Sequence, residues 1–231
     1  MASSVSVSSS SYAVSSVARF TNKPKKSHAS AVQTILRYLK RTQDMGIIVK
    51  PDGTFNLKLW CDADFAGLHG KEDARSPDCA KSRLGYVVTL GGVLLTWRTS
   101  LIQEICLSTL EAEYVALVNA LRTVIPIRNL LIDLLQFLKL PSPSNPVIQC
   151  DVFEDNQGAF LLANNQRITS RTKYFCVKWH FFWSHVYHPD RNPDGWLFVE
   201  KCPTQLQNAD YLTKGLPREP FQENRKRVQG W

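Results

Sequence analysis

The clearest hydrophobic and polar alternation in the chain lies at residues 55–64, where Phe55, Leu57, Leu59 and Cys61 fall on one face and Lys58, Trp60 and Asp62 on the other. A period of two is the mark of a half-buried strand, and this one carries acid to its end, with Asp64 in phase if the strand runs on. Pro-Asp-Gly-Thr at 51–54 is a turn sequence, so residues 46–50 and 55–61 are expected to pair as a hairpin. After a long polar loop, Gly-Tyr-Val-Val-Thr-Leu and Val-Leu-Leu-Thr-Trp flank Gly91-Gly92 and predict a second hairpin. Three antiparallel strands in sequence order follow, centred on residues 57–61, 85–90 and 93–97.

Helical periodicity takes over elsewhere. Ala31, Ile35, Tyr38 and Leu39 recur at helical spacing beside Arg37, Lys40 and Arg41, predicting an amphipathic basic helix over 28–42, with a shorter helix at 12–20. Ser108-Thr109-Leu110-Glu111 is a capping box, with Ser108 at the N-cap and Glu111 reaching back to the cap amide. Leu110, Tyr114, Leu117 and Leu121 form the core stripe of that helix, and Glu111 and Glu113 lie on its two edges. Because the cap employs Glu111, Glu113 is the free carboxylate. Pro126 is expected to end or kink the helix, and 127–138 to resume as a second apolar segment.

Residues 140–146, Leu-Pro-Ser-Pro-Ser-Asn-Pro, read as a linker, and Val-Ile-Gln-Cys-Asp-Val-Phe as a buried strand finishing at Glu154-Asp155-Asn156-Gln157. Asp155 sits at a strand-to-helix junction, where an N-cap is its ordinary role. An aromatic-rich helix is expected over 175–187, its rings packing in the core or stacking on bases. Trp-Leu-Phe-Val-Glu-Lys is the last strand, and Asp210 opens or sits early in a late helix, where the helix dipole alone would favour an acid. The Ser-rich residues 1–11 are expected to be disordered.

Composition adds to this picture. The 231 residues carry 28 Lys and Arg against 20 Asp and Glu, a net charge of +8 concentrated toward the ends. A basic protein that keeps local carboxylates suits a polyanion partner with metal ions between, although a solvated basic surface gives the same balance. The six cysteines form no Cys-x-x-Cys pair, which argues against a disulfide framework or zinc ribbon and for a reducing compartment, cytoplasm or nucleus rather than secretion. His180, His185 and His188 are close in sequence, but their apolar neighbours point to ordinary histidines rather than zinc ligands. No run is expected to approach a membrane span. Residues 1–43 hold no acid and many serines, the composition of an organelle transit peptide.

Eight segments in order carry a resemblance: Ile-Leu-Arg-Tyr-Leu-Lys-Arg-Thr, Cys-Asp-Ala-Asp-Phe-Ala-Gly, Lys-Ser-Arg-Leu-Gly-Tyr-Val, Leu-Ser-Thr-Leu-Glu-Ala-Glu-Tyr-Val-Ala-Leu, Glu-Asp-Asn-Gln-Gly-Ala, Ser-Arg-Thr-Lys, Trp-His-Phe-Phe and Asn-Ala-Asp-Tyr-Leu-Thr-Lys-Gly-Leu. From about residue 12 onward the chain resembles the C-terminal part of a copia-type retrotransposon polyprotein, the reverse transcriptase tail followed by its ribonuclease H domain. The resemblance implies an α/β, ribonuclease H-like fold. Its five-stranded mixed sheet has the first three strands antiparallel, the last two parallel to the first, and helices flanking it. It also implies a division into a Ser-rich leader at 1–11, a polymerase tail at 12–45, a ribonuclease H-like domain at 46–216 and a basic C-terminal helix at 217–231. That division accounts for the acid-free N-terminal region without a transit peptide.

What the family does with its carboxylates is then expected of Asp62, Glu113, Asp155 and Asp210. Together they would hold two Mg2+ or Mn2+ ions about 4 Å apart that activate water for hydrolysis of the RNA strand of an RNA–DNA hybrid. Arg171, Lys173 and Lys214 would contact the nucleic acid, and Asp64 and Ser108 would shape the surroundings. The implied partners are the hybrid and a separate reverse transcriptase chain, with no membrane. Tyr174 stands where the family usually has histidine, and Trp-Arg-Thr-Ser-Leu at 97–101 has fewer basic residues than its counterparts. These departures support an alternative, a truncated and inactive relic that only binds nucleic acid. An integrase-like nuclease is disfavoured because that class lacks a catalytic glutamate on the first helix. The sequence holds no Asp-Asp pair of the polymerase type, so DNA synthesis is not expected.

Overall fold

A computed structural model describes residues 4–141, 148–170, 172–174 and 180–231. Five strands form one mixed sheet: β1 (Leu57–Asp64), β2 (Arg83–Leu90), β3 (Val93–Leu101), β4 (Cys150–Glu154) and β5 (Leu197–Lys201). Their order is β3-β2-β1-β4-β5. β1 runs antiparallel to β2 and parallel to β4, β2 and β3 are antiparallel, and β4 and β5 are parallel. This is the strand arrangement that the resemblance implied. Gly91 and Gly92, at φ 55° and 78°, make the tight turn of the β2–β3 hairpin, a backbone that side chains other than glycine adopt with strain.

The alternation in β1 sorts its residues as the sequence required. Leu57, Leu59 and Cys61 are fully buried and pack with Tyr114, Leu117 and Leu121 of α3 (Thr109–Phe137) in the main core. On the other face Trp60 joins Val87, Leu94, Tyr211, Leu212 and Val228 in a second core. That second face is covered by α1 (Ser4–Ala18), the single turn α5 (Asp210–Thr213) and α6 (Arg218–Gln229). α2 (Lys26–Arg41) packs on α1, and α4 (Gln157–Asn165) follows β4.

Several local expectations are overturned. Residues 46–50 form no strand; Ile48 instead donates its amide to the Gln229 carbonyl at 3.0 Å. Turn chemistry at 51–54 is real, since Asp52 Oδ1 accepts from the Thr54 amide at 2.8 Å. However, β1 is the central strand and both of its edges are already taken by β2 and β4. Residues 4–11 are not disordered but helical, because the small serines let α1 lie close against its neighbours. Ser8, Ser9 and Ser10 are buried, Ser9 Oγ and the Tyr38 hydroxyl share a 2.7 Å hydrogen bond, and Gln229 Nε2 donates to Ser8 Oγ.

Pro126 does not divide α3, which runs unbroken for 29 residues. The carbonyl that loses its helical partner belongs to Arg122, and Pro126 and Arg122 both sit on the exposed side of the helix. At this length α3 is, by composition alone, long and apolar enough to cross a membrane, contrary to the expectation from shorter segments. Here its first half is a core helix with Glu111 and Glu113 buried among its apolar residues. The 140–146 linker falls largely, and the first part of the 175–187 helix wholly, outside the described residues; the described remainder of that helix, His180–His185, is a 3-10 turn.

Candidate metal centre of four carboxylates

Parallel pairing of β1 and β4 brings their C-terminal ends side by side, and the carboxylates arrive there from four elements. Asp62 is near the end of β1, 2% exposed. Glu113 comes from the second turn of α3, which lies across the opposite face of the strand, and is 5% exposed. Asp155 follows the last residue of β4 and is half-buried. One oxygen from each of these three lies within 4.8 Å of the others. Asp210 opens α5 and lies beside Asp62, close enough for the two to share a hydrogen bond, but outside the group of three whose oxygens all lie within 4.8 Å of one another.

Local structure explains the placement. Ser108 Oγ accepts from the Glu111 amide at 3.1 Å, and Glu111 Oε2 accepts from the Leu107 amide at 2.7 Å rather than from Ser108 as a strict capping box would have it. With Glu111 so employed, Glu113 is the acid left for the site. Asp155 is likewise relieved of its ordinary duty, because Asn156 caps α4, its Oδ1 accepting from the Ala159 amide at 3.0 Å. Asp62 is held by the Thr213 hydroxyl, which donates to Oδ2.

The electrostatics are those of a crowded anionic site. Burial and the neighbouring Asp210 and Asp155 carboxylates push Asp62 up to about 7, against the pull of the Lys214 ammonium. Burial first, then Asp62, Glu154 and Asp155, lift Glu113 well above its ordinary value, with the Ala63 amide opposing. Asp210 is raised as well, chiefly by burial. Lys214 Nζ lies 2.9 Å from Asp210 Oδ1 and 3.9 Å from Asp62 Oδ2. Burial works against its charge, but these carboxylates outweigh it and raise its pKa.

The donor set fits a hard divalent cation. All four groups offer only oxygen, as Mg2+ and Mn2+ require. Among the described residues Glu113 Oε2 is buried without a hydrogen-bond partner, an orphaned acceptor that carries a cost unless a cation or water serves it. No histidine or cysteine enters a metal-holding group among the described residues, and the five described cysteines are buried and unpaired.

Of the expected nucleic-acid contacts, Lys173 is exposed, Lys214 is engaged with the carboxylates, and Arg171 lies outside the described residues. Asp64 is half-buried beside the site and raised by burial. The Tyr174 hydroxyl donates to Glu111 Oε2 at 3.0 Å, on the helix turn that carries Glu113.

One residue at this centre escaped the sequence reading. Glu154 is fully buried directly behind the site. Its Oε1 accepts from the Asn156 amide at 2.9 Å, and the Cys61 thiol donates to Oε2 at 3.6 Å. Burial pushes it up to about 8. The signal was present: Cys150, Val152 and Glu154 are in phase, so the strand that buries the first two buries the third. Gln207, fully buried, adds the brace, donating from Nε2 to the Cys61 carbonyl at 2.8 Å.

No family model matches the chain. It is 35% identical over 212 residues to the retrovirus-related Pol polyprotein from transposon RE1 of Arabidopsis thaliana, covering 92% of this chain and 13% of that protein. To the corresponding polyprotein from transposon TNT 1-94 of Nicotiana tabacum it is 33% identical over 211 residues, 91% of this chain and 14% of the relative. The chain thus spans about one eighth of the length of these relatives. Among solved structures it is similar to LC11-RNase H1, isolated from compost, with a TM-score of 0.44 at 18% identity over 69% of this chain and 93% of that one. With likeness over nine-tenths of its length to polyproteins of this kind, the chain belongs to the retrovirus-related Pol polyproteins of copia-type transposons.

Proposed function

We propose that this chain hydrolyses the RNA strand of RNA–DNA hybrids at a site built from Asp62, Glu113, Asp155 and Asp210. The observation that carries the reading is the meeting of Asp62, Glu113 and Asp155 oxygens within 4.8 Å at one strand end. Carboxylates gathered this closely repel one another and resist ionisation together, so the cluster favours divalent cations strongly. When bound, a pair of Mg2+ or Mn2+ ions would lower the pKa of water and neutralise charge building on the departing oxygen.

The chain's own groups supply the rest. Asp62 and Glu113, the most buried of the four, would hold the metal and are fixed by Thr213 and by the Ala63 amide. Asp155 is the more open of the four and is assigned to orienting the attacking water, whereas Asp210 is buried and paired with Lys214. Lys173 is exposed beside Tyr174 and, with Arg171, is assigned to the phosphate backbone, where such contacts position without reading sequence. The 2′-hydroxyl distinguishes the strand to be cut.

The test is cleavage of an end-labelled hybrid by the purified chain in Mg2+ or Mn2+. The expected result is endonucleolytic products ending in 5′ phosphates, with activity lost on Asp62→Asn. Tyr174 favours the competing reading, a relic that holds nucleic acid without cutting it; hybrid binding with no cleavage in either metal would establish that reading instead.

A further inference from the structure

The four carboxylates are not equivalently partnered, and the asymmetry has a chemical meaning that rests on the metal-site reading above. On one side, Glu113 Oε2 is buried with no hydrogen-bond partner among the described residues; Asp210 Oδ1 is likewise buried without a directed hydrogen bond, but it is met by a cation. On the other, Asp210 and Asp62 share one ammonium, Lys214 Nζ, at 2.9 and 3.9 Å. We propose that Lys214 is a built-in competitor for the second cation: in the free protein it neutralises the Asp62–Asp210 side, so that one divalent ion binds tightly among Asp62, Glu113 and Asp155, and a second binds only when Lys214 is drawn away.

Backbone and side-chain geometry both suit the role. Lys214 caps α5, its amide bonded to the Asp210 carbonyl at 3.2 Å, in an extended conformation that lets the side chain fold back one turn onto Asp210. Its side chain is 38% exposed, so it can leave the carboxylates for solvent or for a phosphate without repacking the core. Thr213, next to it, holds Asp62 from the buried side, so Asp62 stays in place when the ammonium departs. Charge balance points the same way: four carboxylates are matched by two divalent cations only once Lys214 has left. A phosphodiester is a partner able to take the ammonium, because a charge-assisted bond to phosphate replaces the one to Asp210. Substrate arrival and completion of the site are thereby coupled.

The experiment is a Mn2+ titration of the 231-residue chain, free ion followed by electron paramagnetic resonance, for wild type, Lys214→Met, Lys214→Gln and Lys214→Arg, with melting followed in parallel. Wild type and Lys214→Arg are expected to bind one ion tightly. Met and Gln variants are expected to bind two, the second tightened at least about tenfold, and to gain more thermal stability from Mn2+ than wild type does. Wild type binding two ions with similar affinity, or Met and Gln variants remaining at one, overturns the proposal. Absence of any tight Mn2+ site in wild type, unchanged in Asp62→Asn, is a different failure and removes the metal-site reading itself.

Discussion

Gly85 stands directly across from Asp62 in the β1–β2 ladder, and its missing side chain is what admits α5 to the site. A Cβ built there would lie 2.8 Å from both Leu212 Cβ and Thr213 Cγ2, closer than side chains pack. The absence of one methyl group lets the helix turn bearing Asp210 and Thr213 settle on the sheet above Asp62.

Gly85→Ala is therefore expected to lift α5 away from β2, at a cost of about 1–3 kcal/mol in stability from overpacking. Tight Mn2+ binding should weaken about tenfold as Thr213 and Asp210 move off Asp62. Denaturant melts and ion titration check the two effects; an alanine variant with unchanged ion affinity would show that α5 tolerates the displacement.

Glu154 separates charge from shape. Glu154→Gln keeps an acceptor for the Asn156 amide and a comparable volume, and should lie within about 1 kcal/mol of wild type. Glu154→Ala leaves that amide unsatisfied beside a void and should cost about 2–4 kcal/mol. Equal losses in the two variants, measured by chemical denaturation, would mean that the negative charge itself is required.

Without divalent metal, stability should fall as pH rises. Asp62 at about 7 and Glu154 at about 8 hold protons in the folded state that the unfolded chain releases near pH 4. A folded pKa above the unfolded one contributes stability that is fully present below the unfolded value and is lost as pH climbs through the folded value. In chelator the melting temperature should drop by about 5 °C or more between pH 6 and 9, and saturating Mn2+ should flatten the profile. A melting temperature that rises across that range in chelator would contradict the assigned directions.

Tyr174 meets the helix of the site through its hydroxyl bond to Glu111 Oε2. Tyr174→Phe should cost at most about 1 kcal/mol and leave hybrid cleavage within about twofold of wild type, whereas Glu111→Ala, which also frees the Leu107 amide, should cost more. A tenfold loss of cleavage in the Phe variant, read in initial rates, would put the phenol in the chemistry.

The legible part of this molecule was the part specified by short-range pattern. Alternation placed Asp62 at a strand end, capping logic separated Glu113 from Glu111, and the strand-to-helix junction located Asp155. The misreadings share one cause, which is that local chemistry does not see topology. Pro-Asp-Gly-Thr makes its turn, but β1 after it has no free edge for residues 46–50 to join. Pro126 breaks a helix only where its orphaned carbonyl is shut away from water. Glu154 was in phase with buried neighbours, yet its charge argued against interior placement until Cys61 and the Asn156 amide were seen to receive it. Serines 8–11 read as unstructured because the partners of Ser8, Ser9 and Ser11, namely Gln229, Tyr38 and Trp97, are distant in sequence.

Those serine contacts bear on how the gene can be subcloned. The Trp97 indole donates to Ser11 Oγ at 3.0 Å and the buried Arg83 guanidinium to Ser15 Oγ at 2.8 Å, while Arg19, just past α1, clasps Glu72 through two 2.8 Å bonds. An expression fragment trimmed to start at β1 would uncover an aromatic sheet face and strand a cation there, and aggregation during purification would be its signature. The shortest well-behaved product of limited proteolysis should retain the serine helix.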